Sequence, residues 1–284
     1  MSLLHDATVV AFAQRLAGGG VIAAAIAWAG YRTRALTLSG SIAAVIVGAL
    51  TFSFGGPLVA AAVIIFFVTG SVLSRVHTPT ADNARVLAPK GAQRDAAQVA
   101  ANGGVATACA IAFGIASLYG LPHSSKFLVA AVCAIAAASG DTWSTEIGSL
   151  ARGRARLITN MKLVDAGTSG GVTLLGTLAA PLGGAIVGLA GVARPDVLIL
   201  PGWIALCAIA GLVGSIFDSL LGATMQGMWR CSRCARTVET HVHATCAAPC
   251  SLISGLSWLD NDGVNGITTL VGAGVGYVLA GFLG

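Results

Sequence analysis

From Phe127 to Ala138 every side chain is apolar, and the run ends on Ser-Gly-Asp-Thr-Trp-Ser-Thr-Glu-Ile-Gly. A run of that kind belongs in lipid or inside a helix bundle. Asp141 and Glu146 sit at its end, where a carboxylate at membrane depth costs roughly 2.5–3.5 kcal/mol on insertion scales. Such a group persists with a partner, a metal ion or water. Seven of the eleven acidic residues, Asp95, Asp141, Glu146, Asp165, Asp218, Asp260 and Asp262, lie in short polar motifs at the ends of hydrophobic segments.

The chain is 56% hydrophobic and 10% charged, against about 25% charged in soluble domains. Its mean hydropathy is +0.84. These values predict a polytopic membrane protein, an all-α transmembrane bundle forming one domain over residues 1–284. The first residues carry no basic region and no small-residue cleavage site, so no cleaved signal is expected. The net charge of +5 resides in connections between spans. It therefore reads as a positive-inside bias rather than as a nucleic-acid surface. The 38 glycines suit close helix packing, as at Gly184 with Gly188 and Gly272 with Gly276.

Eight spans are expected, at about 16–30, 39–54, 57–73, 98–119, 127–139, 170–192, 197–223 and 264–283. Every second connection is basic, with Arg32 and Arg34, then Arg75, Arg85, Lys90 and Arg94, then Arg152, Arg154, Arg156 and Lys162, then Arg230, Arg233 and Arg236. All four would face the cytoplasm of a multi-pass protein in the cell's inner membrane. The polar motifs flank these same connections. Arg94, Gln98 and Asn102 are four apart and share one helix face, either as a solvated helix start or as an inward polar stripe. Asp141, Ser144 and Thr145 fall within one turn, with Glu146 a step round. That spacing suits Mg²⁺, and a buried ion pair with an arginine such as Arg94 is the competing reading.

Asp165-Ala-Gly-Thr168-Ser169-Gly170-Gly171 precedes the sixth span and reads as a phosphate cradle beside Lys162 and Arg156, or as a helix cap alone. It lacks the Gly-Lys-Ser/Thr ending of a P-loop. Asp218-Ser219 interrupts an apolar helix, with Gln226 two turns on. Asp260-Asn-Asp262-Gly-Val-Asn265 opens the last span. Asp218 and Asp141, both at depth, point to a shared cation.

Residues 228–258 form a Cys/His-rich connection before the last span. Cys231-Ser-Arg-Cys234, His241-Val-His243, Cys246 and Cys250 offer the ligands of a structural zinc, with Cys246 or Cys250 and one histidine completing the set. Free thiols are the alternative, since the reducing cytoplasm disfavours disulfides. Cys109, Cys133 and Cys207 fall within spans and read as packing residues.

The motifs Arg94-x₃-Gln98-x₃-Asn102-Gly-Gly, Asp141-Thr-x-Ser-Thr-Glu146-Ile-Gly, Gly167-Thr-Ser-Gly-Gly171, Asp218-Ser-Leu-Leu-Gly222 with Gln226, and Asp260-Asn-Asp262-x-Val-Asn265 together resemble the transmembrane-protein-19 / phytyl-phosphate kinase family. The resemblance runs from about Arg34 to the C-terminus. It implies CTP-dependent transfer of a γ-phosphoryl group to an isoprenyl or polyprenyl monophosphate. On that reading Asp141, Glu146, Asp218 and Asp262 serve Mg²⁺ or its waters, and Asp141, Glu146, Asp218 and Arg94 form the catalytic set. Arg94 and Lys162 neutralise phosphates, and Thr168, Ser169, Gly170 and Gly171 cradle them. Gln98, Asn102, Ser219, Gln226 and Asn265 bind or orient the substrates. Cys231, Cys234, His243, Cys246 and Cys250 supply the candidate zinc ligands. Expected partners are CTP, the lipid monophosphate, the membrane and, as a homodimer, a second copy of the chain. Two other readings use the same features: a cytidylyltransferase acting on a lipid phosphate, and a proton- or Na⁺-coupled transporter.

Overall fold

The computed structural model describes residues 2–75, 93–151, 154–165, 167–193, 200–243 and 245–282. Arg85, Lys90 and Arg152 of the basic connections lie outside them. Seven α-helices are described: α1 (Ser2–Arg32), α2 (Leu38–Leu73), α3 (Ala96–Leu118), α4 (Ser124–Gly148), α5 (Leu174–Gly188), α6 (Leu200–Thr224) and α7 (Asn261–Leu279). Among the described residues, five segments are long and apolar enough to cross a membrane: Leu38–Leu73, Ala96–Leu118, Ser124–Gly148, Leu174–Ala193 and Pro201–Thr224.

The apolar run 127–138 is the hub. Helix α4 is buried without a break from Ala130 to Gly140, and α2, α3, α5, α6 and α7 all pack on it. Small residues allow the approach. A side chain at Gly140 would meet the backbone of Gly211 on α6, and one at Gly272 on α7 would meet Ala137. Ser139 Oγ donates to the Gly183 carbonyl at 2.8 Å and ties α4 to α5. The helix continues past the expected end of its span, so Asp141 and Glu146 stand on it rather than after it.

Helix α2 is broken at Gly56, whose φ of 69° and ψ of −165° are not helical, just before Pro57. In one straight helix Gly40 and Gly70 would be about 45 Å apart. Instead both abut Arg94, Gly40 against its carbonyl and Gly70 against its guanidinium. The two halves therefore fold back on each other around Gly56, which occupies backbone space essentially restricted to glycine.

Four helices start at the same end of the bundle, and each has a side-chain cap. Thr37 accepts from Gly40 N–H, Asp95 from Gln98, Thr173 from Gly176 and Asp260 from Gly263. Helix α4 starts at the opposite end after His123, which has φ 62° and no side-chain cap.

The expectation of an all-α chain needs correction at the connections. Strands β1 (Ala155–Leu157), β2 (Leu163–Val164) and β3 (Gly171–Val172) make an antiparallel sheet of order β2-β1-β3 between α4 and α5. Strands β4 (Met228–Cys231), β5 (Thr237–Val238), β6 (Val242–His243) and β7 (Ala248–Ser254) make a second, of order β5-β4-β7-β6, between α6 and α7. Outside lipid the backbone can pair in short ladders, and pieces of two to four residues, as all these strands but β7 are, leave no alternation to read.

Candidate functional site

The site lies where α4 and α6 end and α3 and α7 begin. Asp141 on α4 faces Asp218 on α6, close enough for their charges to interact. Thr268 of α7 donates its Oγ1 to Asp218 Oδ2 at 3.3 Å. The next residue, Thr269, donates its Oγ1 to the Ala101 carbonyl at 3.2 Å and holds α7 against α3. Two like-charged carboxylates this close are a poor pairing by themselves and a good one around a hard divalent cation. Asp262 and Asn265 follow on the first turns of α7, half-buried. Ser219 is half-buried beside Asp218 in the chain.

Arg94 forms the second corner. Its backbone is fixed to the α1–α2 connection: Arg94 N–H donates to the Ala35 carbonyl at 2.9 Å, and Thr37 N–H donates to the Arg94 carbonyl at 3.0 Å. Its guanidinium lies over Phe66 and Phe67, 5.4 and 6.0 Å from the ring centroids. Glu146 supplies the negative charge that acts on it. Thr142 and Glu146, four apart, share that face of α4, while Asp141 turns toward α6. Of the two readings of the α4 acids, Glu146 thus fits the ion-pair reading and Asp141 the cation reading. Nη1 of Arg94 is buried and has no hydrogen bond among the described residues.

Arg94 precedes the helix, because Asp95 is the N-cap, so the expected four-residue stacking does not begin at it. Gln98 is the third residue of a capping box: its Oε1 accepts from Asp95 N–H at 3.2 Å, and Asp95 Oδ1 accepts from Gln98 N–H at 2.9 Å. Asn102 Nδ2 donates back to the Gln98 carbonyl at 2.9 Å. All three residues nevertheless line one end of a cavity of about 330 Å³ between α1, α2 and α3. Apart from Thr51, whose hydroxyl donates to the Val47 carbonyl, the rest of that cavity is apolar, with Ile22, Val47, Phe52, Ile64 and Phe67 among its walls.

The glycine loop departs from its expected role. Helix α5 starts after Thr173 rather than at Gly170. Gly171 N–H donates to the Thr168 carbonyl, and Thr168 N–H to Asp165, so two cradle donors are spent inside the loop. Gly170, at φ 75°, and Ser169 pack on Gly222 and Ala223 at the end of α6. Ser169 Oγ donates to Gln226 Oε1 at 2.9 Å. Lys162 is exposed in the β1–β2 turn, and Asp165 pairs with Arg154 at 3.4 Å on the surface. The loop braces the end of α6 and Gln226.

One residue beside the acids has no signal in the sequence. Glu239, between β5 and β6, reaches back to the acids. Burial, then the charge of Asp218, pushes its carboxyl up to about 7, with Asp260 adding to the effect and the Gln226 amide opposing it. The Gln226 nitrogen is near enough to favour the ionised form but outside hydrogen-bond geometry, so Nε2 stays without a hydrogen bond. A glutamate in a polar connection reads as solvated, and only the folded-back lobe reveals its neighbours.

The same lobe gathers Cys231, Cys234, His243 and Cys246, whose ligand atoms all lie within 4.8 Å of one another. Cys250 is outside the group; its Sγ is 3.7 Å from the Ala248 carbonyl. His241 packs on Trp229 with ring centroids 3.9 Å apart.

A family model described as an integral membrane protein, DUF92, matches residues 21–273. The chain is 35% identical over 280 residues to Protein PGR of Arabidopsis thaliana, covering 90% of this chain and 93% of that one. It is 32% identical over 197 residues to an uncharacterized membrane protein of Methanocaldococcus jannaschii, covering 69% and 76%. With the chloroplastic Protein VTE6 of Arabidopsis thaliana it shares 27% identity over 249 residues, covering 87% and 66%. No solved structure matches.

Proposed function

The chain belongs to the DUF92 family of integral membrane proteins, and from that premise we propose that it is a membrane-embedded phosphotransferase. Its reaction is transfer of the γ-phosphoryl group of CTP to an isoprenyl or polyprenyl monophosphate. One observation carries this reading: an apolar cavity lined at one end by Arg94, Gln98 and Asn102, whose Arg94 is acted on by Glu146 on the same helix as Asp141. An amphiphile with a long apolar tail and a phosphate head fits that division of surface. The nucleotide specificity comes from the family resemblance.

Asp141 and Asp218 would hold Mg²⁺, with Glu239, on which the charge of Asp218 acts, and Asp262, on the first turn of α7, binding its waters. The ion supplies charge neutralisation at the transferred phosphoryl group. Arg94, with Nη1 lacking a hydrogen bond, binds the acceptor phosphate, and Glu146 orients the guanidinium. The cavity walls hold the tail and exclude water from the head. An oxygen of the acceptor phosphate bonds to the γ-phosphorus, the bond from the γ-phosphorus to the β–γ bridging oxygen breaks, and CDP leaves. The attacking oxygen is already anionic at pH 7, so the site needs no general base. We also propose eight crossings, with the two halves of α2 counted separately. The polar end faces the cytoplasm, where the basic connections lie.

The test is the purified protein with prenyl monophosphates and CTP labelled at either the γ- or the α-phosphate. The γ-label on the lipid supports the kinase. The α-label retained on the lipid identifies a cytidylyltransferase, and substrate flux into liposomes without product identifies a transporter.

A further inference from the structure

We infer that the lobe spanning residues 228–254 binds one zinc ion through Cys231, Cys234, His243 and Cys246, and that this ion holds Glu239 against the acid pocket. The metal site stands independently of the phosphotransferase reading; the role of Glu239 rests on that reading.

The four ligands come as two matching turns. Cys231 and Cys234 are three apart and are followed by Ala235 at φ 57°; His243 and Cys246 are three apart and are followed by Ala247 at φ 48°. Each turn closes on itself: Ala235 N–H donates to the Cys231 carbonyl at 3.0 Å, and Cys246 N–H to the His243 carbonyl at 3.1 Å. Left-handed backbone at two alanines is costly unless something outside the local chain holds it. The turns present their side chains to one point. Cys234 Sγ stands 3.3 Å from His243 Nδ1, close to the spacing of two ligands on a tetrahedral ion with bonds of about 2.0–2.3 Å.

Three soft sulfurs and an imidazole are a zinc set rather than a calcium or magnesium set. Four protein ligands close the coordination sphere, so this ion is structural. The lobe also needs one. Its strands are two to seven residues long, and its buried apolar side chains are Cys231, Val238 and Ala248. A core that small does not hold a sheet of this size without a staple.

The chain between the two turns is where Glu239 lies. At the neck the lobe is joined to the bundle by backbone bonds, Leu256 N–H to the Met225 carbonyl and Gly227 N–H to the Leu259 carbonyl, each 2.8 Å. Glu239, half-buried after β5, lies across this neck within range of the charges of Asp218 and Asp260. Its position depends on both turns being fixed, and a common ion fixes them.

The full-length protein, purified in detergent and analysed for metals, should carry about one zinc per chain. Cys234→Ser and Cys246→Ser should lose it, and Cys250→Ser should keep it. Because loss of a ligand can unfold the lobe, Cys246→His, which preserves four donors, should retain the ion. Cobalt in its place should show tetrahedral d–d absorption with a spectrum shifted from wild type. A wild-type chain that takes up no zinc when titrated, or Cys250→Ser losing zinc as fully as Cys246→Ser, overturns the site. Stripping zinc should lower phosphoryl transfer about ten- to a hundredfold, to the level of Glu239→Gln, and zinc should restore it in wild type only. Full transfer without zinc overturns the positioning role. Absence of transfer in every form overturns the kinase reading and leaves the zinc result standing.

Discussion

The guanidinium of Arg94 is held on both sides, by Phe66 and Phe67 and by the charge of Glu146, with Nη1 left over. Arg94→Ala should raise the apparent KM for the prenyl monophosphate more than that for CTP, and steady-state kinetics with each substrate varied checks this. Asp141→Asn and Asp218→Asn should abolish turnover while the protein still inserts and purifies, since each keeps the side chain's shape and removes its charge. Glu239 has the opposite character. Its carboxyl is raised to about 7 from an ordinary 4.5, so between those values the folded state holds a proton that the unfolded state has released. In divalent-free buffer its contribution to stability is therefore fullest below about 4.5 and is lost as pH rises through 7. Thermal unfolding across that window should show a larger loss in wild type than in Glu239→Gln. Asp141, Asp218 and Arg94 were legible as charges with no reason to sit beside apolar runs. Glu239 and the capping role of Gln98 were not, because a polar residue in a polar connection or at a helix start carries no such contradiction.

At the scale of elements, two glycines are required for different reasons. A methyl at Gly140 would press on the backbone of Gly211, which cannot move without shifting α6. Gly140→Ala should cost about 1–3 kcal/mol. At Gly56 there is nothing within 4 Å of an added Cβ. Gly56→Ala should still cost about 1–3 kcal/mol, through its backbone conformation alone. Denaturation in mixed micelles, with Gly104→Ala, another glycine with open space and no left-handed φ, as the control, separates the two causes. The helices were legible because long apolar runs admit few other structures in lipid, and Gly55-Gly56-Pro57 marks the break in α2. The two sheets were not: all their strands but β7 are too short for a period, and their pairing joins residues far apart, such as Trp229 and Leu252.

Across the whole molecule, the polar end collects what the sequence scatters: the start of α3, the ends of α4 and α6, the start of α7 and both extramembrane lobes. Helix α4 makes this possible by packing α2, α3, α5, α6 and α7 around one buried stem that ends at Asp141. The apolar cavity has Arg94, Gln98 and Asn102 of that polar end in its wall, and on the proposed reading a lipid head and a water-soluble triphosphate meet there from two phases. The most direct test is to supply γ-labelled CTP and a prenyl monophosphate to the purified protein in Mg²⁺ and follow the label. We expect it on a prenyl diphosphate with wild type and nowhere with Asp218→Asn. Label that stays on the nucleotide with wild type, or equal transfer by Asp218→Asn, would contradict the account.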